Sequence, residues 1–158
     1  MLNTYLIELQ VEGLSLVPFD FNKREDFVYY KKLPGSNDIY MTHYSKKNDK
    51  GTYYILMYKG NKVGMVGIVV PENSPRQYLE IVIDPEYRRM GMFMKAIRLV
   101  TKTHKIKRLY SIVLKKNKMS YKTHMAYGFK ELSEKETKQI DEEDKNPTVP
   151  HYVLYKDF

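Results

Sequence analysis

The order of hydrophobic and polar positions divides the chain into short strands and helices. In the N-terminal third, apolar stretches of β-forming residues predict strands, and a mixed stretch ended by Pro34-Gly35 predicts a helix. The predicted elements there are strands at 4–11 and 14–19, a helix at 23–33 and a polar loop at 34–51.

The middle of the chain predicts a run of three antiparallel strands. Gly60-Asn61 tolerates positive φ and therefore favours a tight hairpin between the first two. The third ends at Asp84-Pro85, because proline has no amide donor and restricts the residue before it. These predicted strands are 52–58, 63–70 and 77–83.

The second half predicts alternating helices and strands. Apolar residues at helical spacing are followed by a continuous apolar run, which is typical of a buried strand. Asn117 suits the N-cap of a further helix that ends before Gly128. The predicted elements are a helix at about 89–104, a strand at 108–114, the helix from 117, a charged connector at 133–150 and a last strand at 151–158.

This order predicts a mixed α/β (α+β) domain. Its sheet is mainly antiparallel, and the strand–helix–strand unit 83–108 forms a central parallel crossover, which is expected to be right-handed. A length of 158 residues fits one domain, so residues 1–158 are predicted to form a single unit.

Composition narrows the chemistry. The chain has no cysteine, which excludes disulfides, thiolate metal sites and a cysteine nucleophile. Four histidines show no ligand-like spacing, so we expect no metal. The N-terminus has no basic segment leading into an apolar one, and no apolar run approaches the ~20 residues of a membrane span. We therefore expect a cytoplasmic protein without membrane association.

The net charge of +8 is distributed unevenly. Between Arg88 and Lys122 there are twelve Lys and Arg and no acidic residue, whereas residues 130–145 hold seven acidic residues and four Lys. A solvated helix face is one interpretation of the basic region. The other is a site for anions, such as coenzyme phosphates, nucleic acid or an acidic substrate.

The segment IVIDPEYRRMGMFM (81–94) has the most informative chemistry. A strand stops at a proline, basic residues and a glycine follow, and a helix begins. The first amides of a helix have no internal partner, and together with the helix dipole they attract anions. Arg88 and Arg89 add charge, and Gly91 lets a ligand approach the backbone closely. The segment therefore suits a pyrophosphate.

The same segment resembles motif A of the GNAT superfamily of N-acetyltransferases. That motif is a strand ending in V-x-P, followed by R/Q-x-x-G-x-G/A at a helix start. Here Ile83-Asp84-Pro85 stands for the strand end, Arg88 and Gly91 match the loop, and Phe93 replaces the usual Gly or Ala.

A second match lies downstream. The next motif of the family, approximately N-x-x-A/S-x-x-x-Y/H-x-x-x-G-F, is matched by Asn117, Ser120, His124, Gly128 and Phe129. The two motifs occur in the right order on the right elements and together cover about residues 77–132.

The resemblance implies an acyl-CoA N-acyltransferase fold and direct transfer of an acetyl group from acetyl-CoA to the amine of a small molecule or peptide. Residues 77–132 would bind the coenzyme, and the variable N-terminal half would lie on the acceptor side. The implied coenzyme-binding residues are Ile81, Val82, Ile83, Arg88, Arg89, Met90, Gly91, Met92, Phe93, Met94, Asn117 and Ser120.

The resemblance also implies two catalytic residues. The position of His124 often carries a tyrosine thought to protonate the departing thiolate, and a histidine near its ordinary pKa of about 6.5 can do the same. Alternatively, His124 only packs under the coenzyme, and the acid is then Tyr121, Tyr127 or a water. Some members use a glutamate on the strand before motif A as base, which is the place of Glu80. An ion pair with a neighbouring lysine is the alternative for Glu80, and Glu72 and Tyr78 are further candidates for the base.

Three other interpretations stay open. The region 88–122, with Tyr110 and Tyr121, can be a basic nucleic-acid-binding module, although such a module does not need the two spaced motifs. Phe93 can indicate a relative that binds coenzyme without transferring anything.

Core filling is the simpler interpretation of the methionines at 90, 92 and 94. These motifs do not identify the acceptor. For the assembly of the chain, we consider a homodimer.

Overall fold

The computed structural model describes residues 13–34 and 50–158, and the strands of this part form one seven-stranded sheet. The strands are β1 (Leu14–Pro18), β2 (Lys50–Tyr58), β3 (Asn61–Val70), β4 (Tyr78–Ile83), β5 (Arg108–Leu114), β6 (Lys130–Glu131) and β7 (His151–Asp157). The helices are α1 (Arg24–Lys32), α2 (Met92–Thr103), α3 (Lys118–Ala126) and α4 (Glu134–Asp144), with a 3-10 turn at Pro85–Tyr87.

The sheet has the order β1-β2-β3-β4-β5-β7-β6. Its neighbouring strands are antiparallel except for β4 and β5, which are parallel and are connected through α2. The prediction of a mixed, mainly antiparallel sheet with one central strand–helix–strand crossover is confirmed.

Buried residues lie on both faces of the sheet. On one face, α2 packs Ile97 and Val100 against strand residues such as Leu56 and Leu109. On the other, residues of α1 pack against a second cluster made of Phe19, Leu33, Tyr53, Ile55, Met65 and Val69. We call these two sides the α2 face and the α1 face.

The prediction of a connector at 133–150 is wrong, because residues 134–144 form α4. Ser133 caps this helix: its hydroxyl accepts the amide of Glu136 at 3.2 Å and donates to the Glu136 carboxylate at 3.0 Å. The Ser-x-x-Glu pattern of a capping box was present in the sequence. Only Ile140 and Asp144 of α4 are buried, so no apolar periodicity marked the helix. The predicted strand at 4–11 and most of the loop at 34–51 lie outside the described residues.

One irregularity of the sheet positions the site. β4 and β5 are paired in register at Tyr78 and Tyr110, and within the described sheet they share no further register pair. By contrast, β5 is paired with β7 along its whole length. The two parallel strands therefore diverge towards their C-terminal ends. No helix in residues 13–34 and 50–158 has the length and apolar character needed to cross a membrane.

Candidate active site

A cavity of about 1160 Å³ lies where β4 and β5 diverge. Its wall includes residues 78–83 of β4, 111–114 of β5, the starts of α2 and α3, and residues 144–147. Consecutive residues of β4 point to opposite faces of a sheet, so a cavity lined by all of them passes between the strands from one face to the other. Beyond the Tyr78–Tyr110 pair, the facing backbone edges offer hydrogen-bonding groups to an extended ligand.

The start of α2 forms one end of this cavity. Gly91 is the N-cap with φ +76°, and Arg89 before it also has positive φ, +64°. The first intrahelical bond runs from the Lys95 amide to the Gly91 carbonyl, 3.2 Å, so the amides of residues 92–94 point out of the helix end. The first turn of α2 has no acidic residue. The geometry is that of an anion-binding helix terminus.

The two arginines differ in their surroundings. Arg88 donates from Nε to the Ile83 carbonyl at 3.0 Å, which ties the turn to the end of β4. Both Arg88 and Arg89 are exposed and line the cavity. They can therefore add positive charge beside the amides of α2.

The methionines divide into two kinds. The Met92 side chain is 2% exposed and packs in the core, as the core-filling interpretation expected. For Met90 and Met94 that interpretation is wrong, because they are 47% and 39% exposed. Met94 lines the cavity and Met90 does not. All the other predicted coenzyme-binding residues line the cavity: Ile81, Val82, Ile83, Arg88, Arg89, Gly91, Met92, Phe93, Asn117 and Ser120.

The start of α3 lies on the cavity wall beside β5. Asn117 caps α3, as predicted, by accepting the amide of Ser120 on its Oδ1 at 3.1 Å. Asn117 is exposed and Ser120 is half-buried, and both line the cavity.

His124 is buried inside this wall, with 2% of its surface exposed. Nδ1 lies 2.7 Å from the Ser120 carbonyl, and Nε2 lies 2.8 Å from the Ser111 hydroxyl. A carbonyl only accepts, so Nδ1 carries the ring proton and Nε2 accepts from Ser111. The rings of Phe93 and Phe129 meet the imidazole edge-on, each at 4.9 Å.

Burial lowers the pKa of His124 to about 4, so the expectation of an ordinary pKa is wrong. The imidazole is therefore neutral at pH 7, and both ring nitrogens are engaged in hydrogen bonds. The role of His124 as proton donor stays a prediction. Its surroundings favour the alternative, in which it only packs.

Phe93 takes the position at which the motif usually has glycine or alanine. Its half-buried ring lies between α2 and α3, against His124 at 4.9 Å and Tyr127 at 6.4 Å. The larger side chain thus packs the start of α2 against the C-terminal end of α3.

Glu80 lines the cavity from the α1 face and is half-buried. The Tyr53 hydroxyl donates to Glu80 Oε2 at 2.6 Å. Of the other two candidates for the base, Glu72 is exposed in the turn after β3 and is not part of the cavity wall. Burial and a hydrogen bond to Asp144 raise the pKa of Tyr78, which keeps that phenol protonated.

A network of charged residues that was not predicted from the sequence lies beside the cavity wall at Tyr78 and Asp144. Arg76 makes a two-point contact with Asp144, from Nε at 2.6 Å and from Nη2 at 3.0 Å, and it also contacts Glu143. Burial would raise the pKa of Asp144, but hydrogen bonds from Arg76 and Tyr78 hold it below its ordinary value. The network anchors α4, and with it the wall at 144–147, to the strands.

Ser111, which was not predicted as a site residue, also lines the cavity, and so does Tyr127, an alternative candidate for the acid. Ser111 lies inside a strand predicted as continuously apolar, where a lone serine was the available signal. Burial raises the pKa of Tyr127, and a hydrogen bond with Arg98 partly offsets that effect. Within the described residues, no group of three or more His, Asp or Glu could hold a metal ion.

A comparison with protein families decides the class of this molecule. The sequence model of the Acetyltransferase (GNAT) family matches residues 19–129, more than half of the chain. The chain belongs to the GNAT family. The match includes β4, the start of α2 and the whole of α3, which are the elements around the cavity.

Solved acetyltransferase structures have the same fold. An acetyltransferase from Streptococcus agalactiae is 17% identical, with a TM-score of 0.62 over 93% of this chain and 99% of that one. A GNAT acetyltransferase from Elizabethkingia anophelis with acetyl-CoA bound is 11% identical, with a TM-score of 0.61 over 93% and 99%. A spermidine/spermine N-acetyltransferase from Vibrio cholerae is 14% identical, with a TM-score of 0.58 over 94% of each chain. A search of curated protein sequences gave no match.

Proposed function

We propose that this GNAT protein is an N-acetyltransferase that moves the acetyl group of acetyl-CoA directly to an amine. The observation that carries the proposal is the cavity between β4 and β5, which joins an anion-binding helix start on one face to a carboxylate, Glu80, on the other. Acetyl transfer in general follows from family membership. The proposal goes beyond family membership because it names an amine nitrogen as the atom that accepts the acetyl group.

The donor would bind along the coenzyme half of the cavity. The amides of residues 92–94, with Arg88 and Arg89, suit the pyrophosphate because they combine unpaired N–H groups with formal charge. The edges of β4 and β5 suit the pantetheine amides, since an extended amide chain can pair with an open strand edge. Asn117 and Ser120 border the same passage. The structural neighbour from Elizabethkingia anophelis contains acetyl-CoA, which supports this donor.

The acceptor amine would enter from the α1 face, where Glu80 lies. An amine with a pKa near 10 is mostly protonated at neutral pH, so a base must remove a proton before its nitrogen can attack. Glu80 is proposed as that base. The nitrogen then bonds to the acetyl carbonyl carbon and loses a second proton to solvent as it becomes an amide nitrogen. The carbon–sulfur bond breaks, and coenzyme A leaves as a thiolate that requires a proton.

The donor of that last proton is the second catalytic question. The sequence hypothesis names His124, whose ring proton is bonded to the Ser120 carbonyl. We propose Tyr127 instead, because it lines the cavity, is half-buried and has a pKa raised by burial, so its phenol stays protonated at neutral pH. Replacing each residue by phenylalanine separates the two. Loss of at least tenfold in kcat for Tyr127→Phe, but not for His124→Phe, supports Tyr127, and the opposite result restores His124.

The nucleic-acid alternative fits the structure less well. The basic residues of 88–122 are spread along α2, whose 12 residues span ~18 Å, and continue through β5 into α3. Arg88 and Arg89 lie at the cavity, whereas Arg108, at the far end, is paired with Asp157 at 2.6 Å. The charge at the cavity thus suits the phosphates of a coenzyme, and part of the remaining charge is neutralised by an ion pair. Tight binding of short oligonucleotides that survives physiological salt would reverse this ranking.

The decisive experiment measures the release of coenzyme A thiol from acetyl-CoA in the presence of a panel of amines. The panel contains polyamines, amino acids, amino sugars, arylamines and peptides, and mass spectrometry checks each product for an added acetyl group. Acetyl-CoA at a hundredfold excess over its Kd should also stabilise the fold by about 2.7 kcal/mol. Absence of both binding and turnover would refute the proposal. A single domain over 1–158, a cytoplasmic location and a homodimer stay predictions.

A further inference from the structure

Glu80 of β4 accepts a hydrogen bond from a residue of β2, on the far side of β3. Tyr53 of β2 is in register with Gly67 of β3, and Gly67 is in register with Glu80 of β4. These three residues therefore form one line across the sheet on the α1 face. The Tyr53 ring spans the middle strand, and its hydroxyl reaches Glu80 Oε2 at 2.6 Å.

Gly67 makes this contact sterically feasible. A Cβ atom at position 67 would lie 2.3 Å from the Tyr53 ring, far inside van der Waals contact. The backbone of Gly67 has no positive φ, so the strand conformation itself does not call for glycine. Glycine inside a strand commonly marks a place where another group approaches the backbone closely. Here that group is the ring of Tyr53, which is 3% exposed.

We propose that Tyr53 is a positioning residue for acetyl transfer, whose hydroxyl orients the Glu80 carboxylate in the acceptor half of the cavity and keeps it ionised, with Gly67 providing the space. The inference rests on the proposed function, in which Glu80 removes the amine proton. A carboxylate that accepts a short hydrogen bond from a hydroxyl is favoured in its charged form, which offsets the cost of partial burial.

The other titratable groups near Glu80 are consistent with an ionised carboxylate. Tyr30 of α1 faces it, and burial and then the negative charge of Glu80 raise the pKa of Tyr30. Tyr78 lies two residues along β4 on the same face, and its hydroxyl is bonded to Asp144. Both phenols are neutral at physiological pH, and Tyr53 acts directly on the carboxylate through its hydrogen bond.

Direct titration of Glu80 tests the proposal without knowledge of the acceptor. Protein labelled with ¹³C at glutamate carboxyl groups is titrated by NMR in the presence of coenzyme A, and Glu80→Gln assigns the resonance. In Tyr53→Phe the titration midpoint of Glu80 should move upward by about one pH unit, because a hydrogen bond to a charged group is typically worth roughly one to two pKa units. A midpoint equal to that of the wild-type protein overturns the proposal.

The sequence offers a matched control in the next residue. Tyr54 lies on the opposite face of β2, and its hydroxyl is bonded to His104 Nε2 at 2.8 Å. Tyr54→Phe therefore removes a comparable tyrosine hydrogen bond away from the cavity, and the Glu80 midpoint should not move. Gly67→Ala displaces the Tyr53 ring without removing its hydroxyl, and should shift the midpoint upward as Tyr53→Phe does.

Kinetics with an amine that supports turnover link the contact to catalysis. In Tyr53→Phe, the acidic limb of the kcat profile should move upward by about the same pH increment as the NMR midpoint, while KM for acetyl-CoA stays unchanged. A profile that stays in place overturns the positioning role. Turnover retained in Glu80→Gln also overturns it, although acetyl transfer then stands. If the wild-type protein acetylates no amine, the proposed function fails, and the NMR midpoint still decides the Tyr53–Glu80 contact.

Discussion

The buried imidazole of His124 should make the stability of the fold sensitive to acid. Burial lowers the pKa of His124 to about 4, from an ordinary value of 6.5. Between these two values the unfolded chain binds the proton and the folded chain does not, so the free energy of unfolding falls as pH decreases. The full loss, from pH 7.5 to below 4, is about 3 kcal/mol, and about 2 kcal/mol is lost by pH 5.

Comparison with a variant isolates this contribution. In His124→Phe, the Ser111 hydroxyl loses its partner, which should cost about 1–3 kcal/mol at every pH. The double variant Ser111→Ala/His124→Phe also removes the hydroxyl that has lost its partner, and it should recover part of the lost free energy of unfolding. In both variants the part of the pH slope that belongs to His124 disappears.

Urea unfolding measured from pH 7.5 to 4.5 provides the assay. Carboxylates and the other histidines titrate in the wild-type protein and in the variants alike, so the difference between their stability curves reports His124. The expected difference shrinks by about 2 kcal/mol between pH 7.5 and 5. If the curves stay parallel, His124 has an ordinary pKa and exchanges protons with solvent. That result would support His124 as the proton donor to the thiolate.

Three further predictions concern the arginines at the cavity, the Arg76–Asp144 pair and the N-cap of α4. Arg88→Ala and Arg89→Ala should each weaken acetyl-CoA binding by about tenfold in calorimetry, since each removes a charge-assisted phosphate contact. Arg108→Ala, at the far end of α2, should leave the affinity unchanged. Equal affinity in all three variants would place the phosphates elsewhere. Arg76→Leu should lower the free energy of unfolding, measured with urea, by about 3–5 kcal/mol, because it leaves the buried carboxylate of Asp144 without its positively charged partner. A loss below 1 kcal/mol would contradict this. Ser133→Ala should cost about 1 kcal/mol through the lost cap of α4, and unchanged stability would show that tertiary contacts alone hold the helix.

The sequence by itself determined the features that depend on neighbouring residues. Pro85 ends β4 and Asn117 caps α3, because each acts through its own backbone or through an amide three residues away. Gly91 starts α2 in a left-handed conformation that other residues adopt at a cost. These local rules were sufficient to place the anion-binding helix start and the second motif, and with them the fold class.

Tertiary structure alone decided the features that bring distant residues together. The contact of Tyr53 with Glu80 depends on the register of three strands, and the pairing of Arg76 with Asp144 depends on where α4 docks. The pKa of His124 depends on burial, which no spacing along the chain reveals. A motif fixes which side chain stands at a position, whereas its ionisation depends on the groups that folding packs around it. For this reason the residues at the starts of α2 and α3 that line the cavity could be predicted from the sequence, whereas the pKa of His124 and the hydrogen bond of Glu80 required the structure.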